Sequence, residues 1–241
     1  MTYCLGIKTR AGLVLASDSR TNAGLDQVNV CRKMHLFSQA GSRVFIVLSS
    51  GGLSLCQSVV SLLRDGFDRG QGLAAVESMY DAARCVGEQV RKVAELDRAA
   101  LERDNIPFNV HLILGGQIGS DDPVLYMIYP QGNPMRATSD SPFLQLGETK
   151  YGRPILDRGI RYDETSAEEA AKYALISLDS TMRSNMTVGP PIDLAIYGSG
   201  ELAIQRHYRF SAGDPLLAAI RKQWEEELRQ AVQRLPAIGA G

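Results

Sequence analysis

A threonine at position 2, an aspartate at 18 and a lysine at 33 are residue types that together can carry out acyl transfer. Initiator methionine is normally trimmed when the next residue is as small as threonine, so loss of Met1 is expected. Thr2 then carries a free α-amine beside its own hydroxyl. Such an amine titrates near pH ~7.7–8.0 and serves as a general base at neutral pH. A threonine hydroxyl is a weak nucleophile, and an adjacent N-terminal amine is one way of activating it. A nearby ammonium, Lys33, favours the unprotonated amine and stabilises a developing alkoxide, and Asp18 supplies the partner a buried lysine needs. Backbone N–H groups of Ser50-Gly51-Gly52 are candidate oxyanion donors.

These residues need a frame. Thr2–Lys8 reads as a strand, Arg10-Ala11-Gly12 as a tight turn and Leu13–Ser17 as a second strand. A short hairpin makes the two antiparallel and returns Asp18 to the level of Thr2. Asn22-Ala23-Gly24 turns the chain, a loop and a short helix or turn follow, and Val44–Ser50 is the next strand, ending at Gly51-Gly52. Taken singly, each residue has a plainer reading: Thr2 as ordinary sequence, Asp18 as a turn cap, Lys33 as a surface charge, Gly51-Gly52 as a strand-to-helix turn. Their joint spacing within one hairpin carries the argument.

Thr2, Ser17-Asp18-Ser19-Arg20 sixteen residues on, Lys33 and Ser50-Gly51-Gly52 resemble a proteasome β-type subunit, an N-terminal-nucleophile hydrolase of the group that includes HslV. Met1-Thr2-Tyr3-Cys4, Ser17–Gly24 and Arg32-Lys33-Met34-His35 are similar to the bacterial proteasome-related Anbu subfamily, which carries no propeptide beyond the initiator methionine. The resemblance is dense over residues 1–55, and Leu156-Asp157-Arg158-Gly159 also fits it. It implies Thr2 as nucleophile and base, Asp18 and Lys33 as the charge pair, and Gly51 as oxyanion donor. It also implies a ring or open spiral of identical subunits that encloses the active sites. Family members often carry an Asp and a Ser in the loop after the long late helix. Residues 183–189 here read Arg-Ser-Asn-Met-Thr-Val-Gly, with Ser184 and Thr187 at or near those positions and no Asp. Ser49 is expected to floor a small polar specificity pocket, with Thr21, Cys31 and His35 as other lining positions.

The rest of the chain narrows the function classes. The 241 residues are expected to form a single domain, 1–241, with one substantial core. A net charge of −1 gives no reason to expect nucleic acid or an anionic membrane as partner. Cys4, Cys31, Cys56 and Cys85 are isolated and read as structural thiols in a reducing cytoplasm. Lys8 and Arg10 interrupt any apolar leader, so none is expected, and no apolar run approaches the ~20 residues of a membrane span. His35, His111 and His207 lack metal-ligand spacing, so no metal or other cofactor is expected. Gly198-Ser199-Gly200 and Gly115–Gly119 read as hairpin turns, because no helix follows either.

Helices are expected over 53–67, from Leu73 towards Glu102, from a capping box at Ser166-Ala167-Glu168-Glu169, and from Asp214-Pro215 to Leu235. Strands are expected at 108–116, 124–129, 135–138, 143–146, 192–197 and 203–210. The apolar stripe of Leu217, Ile220, Trp224 and Leu228 suits a core or a subunit contact. The order βββ-αα-ββββ-α-ββ-α implies an α+β chain, a four-layer αββα sandwich of two antiparallel sheets. Three functions remain open: a threonine hydrolase cleaving peptide bonds, a largely structural or binding subunit of a proteasome-like assembly, and a non-peptide amidase.

Overall fold

The computed structural model describes residues 2–23 and 27–238, and for residues 22, 23, 27 and 28 the backbone alone. Met1, and Gly24 of the expected turn, lie outside the described residues. In chain order the strands before the first helix are β1 (Tyr3–Thr9), β2 (Gly12–Ser17), β3 (Arg20–Ala23), β4 (Gln27–Val30), β5 (Met34–Gln39) and β6 (Arg43–Gly51). Then come α1 (Leu53–Asp68), α2 (Met79–Arg103), β7 (Val110–Ile118), β8 (Val124–Ile128), β9 (Pro134–Arg136) and β10 (Phe143–Gly147). The chain finishes with α3 (Arg153–Gly159), α4 (Ala167–Ser184), β11 (Ile192–Gly198), β12 (Arg206–Phe210) and α5 (Pro215–Gln233).

The expected hairpin forms, pairing Cys4 with Ser17 and Thr9 with Gly12 across Arg10-Ala11. It becomes the middle of a five-stranded antiparallel sheet ordered β10-β1-β2-β11-β12. A second antiparallel sheet runs β5-β6-β7-β8-β9. Every residue of β1 and β2 is buried, because both faces are covered. Tyr3, Leu5, Ile7, Val14 and Ala16 pack against α4, while Cys4, Leu13 and Leu15 face the second sheet. That period-two split explains why these strands read as continuous apolar runs instead of alternating ones. α1 and α2 cover the outer face of the second sheet through Val59, Leu63, Val86 and Val90. Helices, sheet, sheet and helices make the four-layer αββα sandwich.

Several boundaries differ from the sequence reading. Residues 20–39 hold the β3–β4 hairpin and the edge strand β5 where a loop and a short helix or turn were expected. An edge strand is covered unevenly, and only Met34 and Phe37 of β5 are buried, so no clean alternation marks it. α2 starts at Met79, because Gly72–Ala74 forms a separate 3-10 turn and Ser78 Oγ caps the helix by accepting from the Asp81 amide. Gly115-Gly116 lies inside β7, not in a turn. A Cβ on Gly115 would press on Leu15 of the facing sheet, and one on Gly116 would meet the Val44 carbonyl, so close backbone approach accounts for both glycines. α3 was not expected, and the last strand starts at Arg206, not Ala203. The capping box at Ser166 and the Asp214 cap form as read.

Candidate active site

The hairpin register places Asp18 opposite Tyr3, the residue after Thr2. The Asp18 amide donates to the Tyr3 carbonyl at 3.1 Å, and the Tyr3 amide donates to Asp18 Oδ1 at 3.0 Å. Lys33 Nζ donates to that same Oδ1 at 2.6 Å and to the Arg20 carbonyl at 2.7 Å. One carboxylate oxygen thus joins the ammonium to the peptide that begins β1. The Gly189 amide donates to Oδ2 at 3.2 Å. Asp18 is wholly buried and Lys33 nearly so. Burial pushes the Asp18 carboxyl above the usual carboxylate range, opposed by the Lys33 ammonium and its hydrogen bond and by the Tyr3 and Gly189 amides. A lysine ammonium has three N–H donors, and among the described residues the third has no acceptor.

Three further contacts hold this corner. Tyr3 OH is bonded to Ser177 Oγ of α4 at 2.6 Å and accepts from Gln145 of β10, and burial raises its pKa to about 12. Ser19 Oγ donates to the buried Asp193, which also accepts from Arg209. The Lys33 carbonyl accepts from the Ser49 amide at 2.9 Å, tying the lysine to β6.

The strand ladder selects among the three candidate oxyanion donors. The Gly52 amide is taken by the Asn109 carbonyl at 2.8 Å, and Ser50 pairs with His111 on the same β7 side. Alternation sends the amides of Ser49 and Gly51 to the β5 side. β5 begins at Met34, opposite Leu48, so the Gly51 amide points past the start of that strand, on the edge where Lys33 lies. Gly51 has φ +131°, and a Cβ there would run into the Asn109 carbonyl, so this position requires glycine.

Cys31 and Ser49 flank Lys33, and half-buried Thr21 follows the Arg20 whose carbonyl Lys33 grips. The Cys31 amide donates to the Ser19 carbonyl, and buried Ser49 accepts from the Cys4 thiol through its carbonyl. His35 lies one strand position beyond Met34. Burial and the nearby Arg64 lower its pKa to about 4, so its imidazole is neutral at pH 7.

Ser184 makes no direct hydrogen bond at this corner, to Thr2, Asp18 or Lys33, among the described residues. It is the exposed last residue of α4, beside the Asn185 cap. Two neighbours from the same loop do reach inward: Gly189, to Asp18, and Asn185, whose Nδ2 donates to Glu148 Oε2 at 3.0 Å. Glu148 is buried, and its amide donates to the Thr2 carbonyl at 2.8 Å. The sequence reading overlooked Glu148. Its only mark is a Gly-Glu pair ending a strand, and which strand lies beside it emerges from the β1–β10 pairing alone.

Gly147 seats Thr2. It has φ +82°, and a Cβ there would strike the Thr2 carbonyl. Gly147→Ala is therefore expected to destabilise the fold by about 1–3 kcal/mol and to displace Thr2. Urea unfolding of the variant beside wild type measures the first effect.

The family described as proteasome subunit matches residues 2–197. The chain belongs to the proteasome subunit family. Proteasome subunit beta 2 of Thermofilum pendens is 26% identical over 201 residues, 82% of this chain and 89% of that one. Among solved structures, Anbu (ancestral beta-subunit) from Yersinia bercovieri is 45% identical with a TM-score of 0.92, covering 99% of this chain and 100% of that one. The helical assembly of the Anbu complex from Pseudomonas aeruginosa is 44% identical with a TM-score of 0.93, covering 99% and 98%. The likeness to Anbu thus spans the proteasome-type fold and continues through α5, beyond the family match. No helix among the described residues is long and apolar enough to cross a membrane.

Proposed function

We propose that this chain is a threonine hydrolase of the N-terminal-nucleophile class that cleaves peptide bonds from within a self-assembled ring or spiral in the cytoplasm. The observation that carries this reading is the sharing of Asp18 Oδ1 between Lys33 Nζ and the Tyr3 amide. It puts a buried ammonium within two hydrogen-bond lengths of the first strand residue. With Met1 removed, the Thr2 amine takes the proton of its own hydroxyl, and Oγ1 adds to the substrate carbonyl. Lys33 favours the neutral amine and the developing alkoxide, while the Gly51 amide receives the oxyanion. The proton passes to the leaving amine as the C–N bond breaks, leaving an ester on Thr2. Water then cleaves that ester and regenerates the hydroxyl. Thr21, Cys31 and Ser49 border the substrate in this scheme.

The helical assembly of the Pseudomonas aeruginosa relative supports self-association of this chain. So does α5, none of whose residues is buried although Leu216, Leu228 and Val232 lie on it. Turnover of peptide and non-peptide amides by the purified protein tests the activity. Peptide amides are expected to be cleaved by wild type and not by Thr2→Ala, whereas equal turnover by both would assign the activity elsewhere. The absence of an Asp from residues 183–189 favours a second reading, a mainly structural subunit. That reading predicts no turnover of either amide class by wild-type assemblies.

A further inference from the structure

We propose that Glu148 is the positioning residue that holds the ammonium formed when the Thr2 amine accepts the hydroxyl proton. The inference rests on Thr2 being the nucleophile. The β1–β10 register pairs Tyr3 with Gly147, and carried one residue on it sets Thr2 opposite Glu148. The Glu148 amide bond to the Thr2 carbonyl shows that the two residues do meet there. Opposed residues of an antiparallel pair lie about 5.5 Å apart at Cα when they exchange hydrogen bonds, within reach of a glutamate side chain. Glu148 is only 7% exposed, and its ion pair with the largely exposed Lys150, 3.7 Å from Oε1, is longer than a hydrogen bond.

Among the described residues only one of the two oxygens is hydrogen-bonded. Oε2 accepts from Asn185, while among the described residues Oε1 accepts no hydrogen bond. A buried carboxylate with a spare acceptor beside the chain start complements a transient ammonium there. Lys33 and Glu148 then act on the α-amine in opposite senses. Lys33 favours the neutral base that starts the reaction, and Glu148 favours the charged form that must exist until the leaving group takes the proton. Asn185, from the loop after α4, fixes the carboxylate.

The test follows acylation of Thr2 by a β-lactone as a function of pH. In that reaction the Thr2 oxygen bonds the lactone carbonyl, the ring C–O bond breaks, and the hydroxyl proton travels through the amine to the released alkoxide. Removing a negative charge from beside the amine lowers the amine's pKa. Glu148→Gln is therefore expected to move the acidic limb of the profile down by about one pH unit and to slow the plateau rate roughly tenfold or more. Glu148→Asp keeps the charge and is expected to keep the limb near its wild-type position. Asn185→Ala, which leaves the carboxylate in place but unheld, shifts the limb in the same direction by less, and serves if Glu148→Gln does not fold. A limb that stays at its wild-type pH in Glu148→Gln, or in Asn185→Ala where the first variant is not obtained, overturns the role of Glu148 and leaves the nucleophile standing. A wild-type protein that is not acylated at Thr2 at any pH overturns both.

Discussion

Lys33→Met slows acylation at Thr2 on the order of 10²–10³-fold and lowers the unfolding temperature by an amount that shrinks as pH falls. The substitution keeps an unbranched chain one atom shorter and removes its charge, leaving Asp18 buried with only the Tyr3 and Gly189 amides as donors. Breaking a buried pair from one side costs about 3–5 kcal/mol, far more than the pair's net contribution, because the remaining charge is stranded. Loss of a donor aimed at developing negative charge slows the chemistry on the order of 10²–10³-fold. The pH dependence follows from burial, which already pushes the Asp18 carboxyl up and is no longer opposed by an ammonium. A carboxyl whose folded pKa exceeds its unfolded one holds more protons folded than unfolded, so stability is lost as pH rises through the folded pKa. The melting deficit of Lys33→Met is therefore larger at pH 8 than at pH 5. Melts at both pH values, with β-lactone labelling of the same samples, measure both effects. A variant labelled at the wild-type rate would show that Lys33 has been misassigned.

Any residue retained ahead of Thr2 silences the chemistry without disturbing the fold. Acylation of the α-nitrogen turns the base into an amide nitrogen with no basicity near neutral pH, and general-base catalysis is worth about 10²–10⁴-fold. The Thr2 carbonyl still accepts from Glu148, and the Tyr3 amide still donates to Asp18, so stability is expected to change by less than about 0.5 kcal/mol. A chain with a cleavable N-terminal extension ending at Thr2 gives a direct comparison. Acylation is expected to be absent before the extension is removed and restored afterwards. Equal rates before and after would mean that the amine is not the base.

Much of this was legible because the decisive residues sit in one hairpin. The turn at residues 10–12 sets the register, the register sets Asp18 against Tyr3, and only Lys33 has to be brought in from outside the hairpin, from the connection between β4 and β5. The sandwich was legible from apolar runs separated by turn residues. Less legible was anything decided by a neighbour remote in sequence. β5 is an edge strand with weak alternation, and Gly115-Gly116 reads as a turn until Leu15 and Val44 are known to press on it. Glu148 and Asn185 lie 37 residues apart and meet the chain start only through the β1–β10 pairing. Ser184 was read from its place in a loop, and it is instead the exposed last residue of α4.

The intact mass of the purified protein, taken before and after treatment with a β-lactone, tests the nucleophile most directly. The expected result is a chain that begins at Thr2 and gains one lactone, with no gain in Thr2→Ala. A chain that keeps Met1 and is still modified, or a Thr2→Ala protein modified to the same extent, would contradict the assignment.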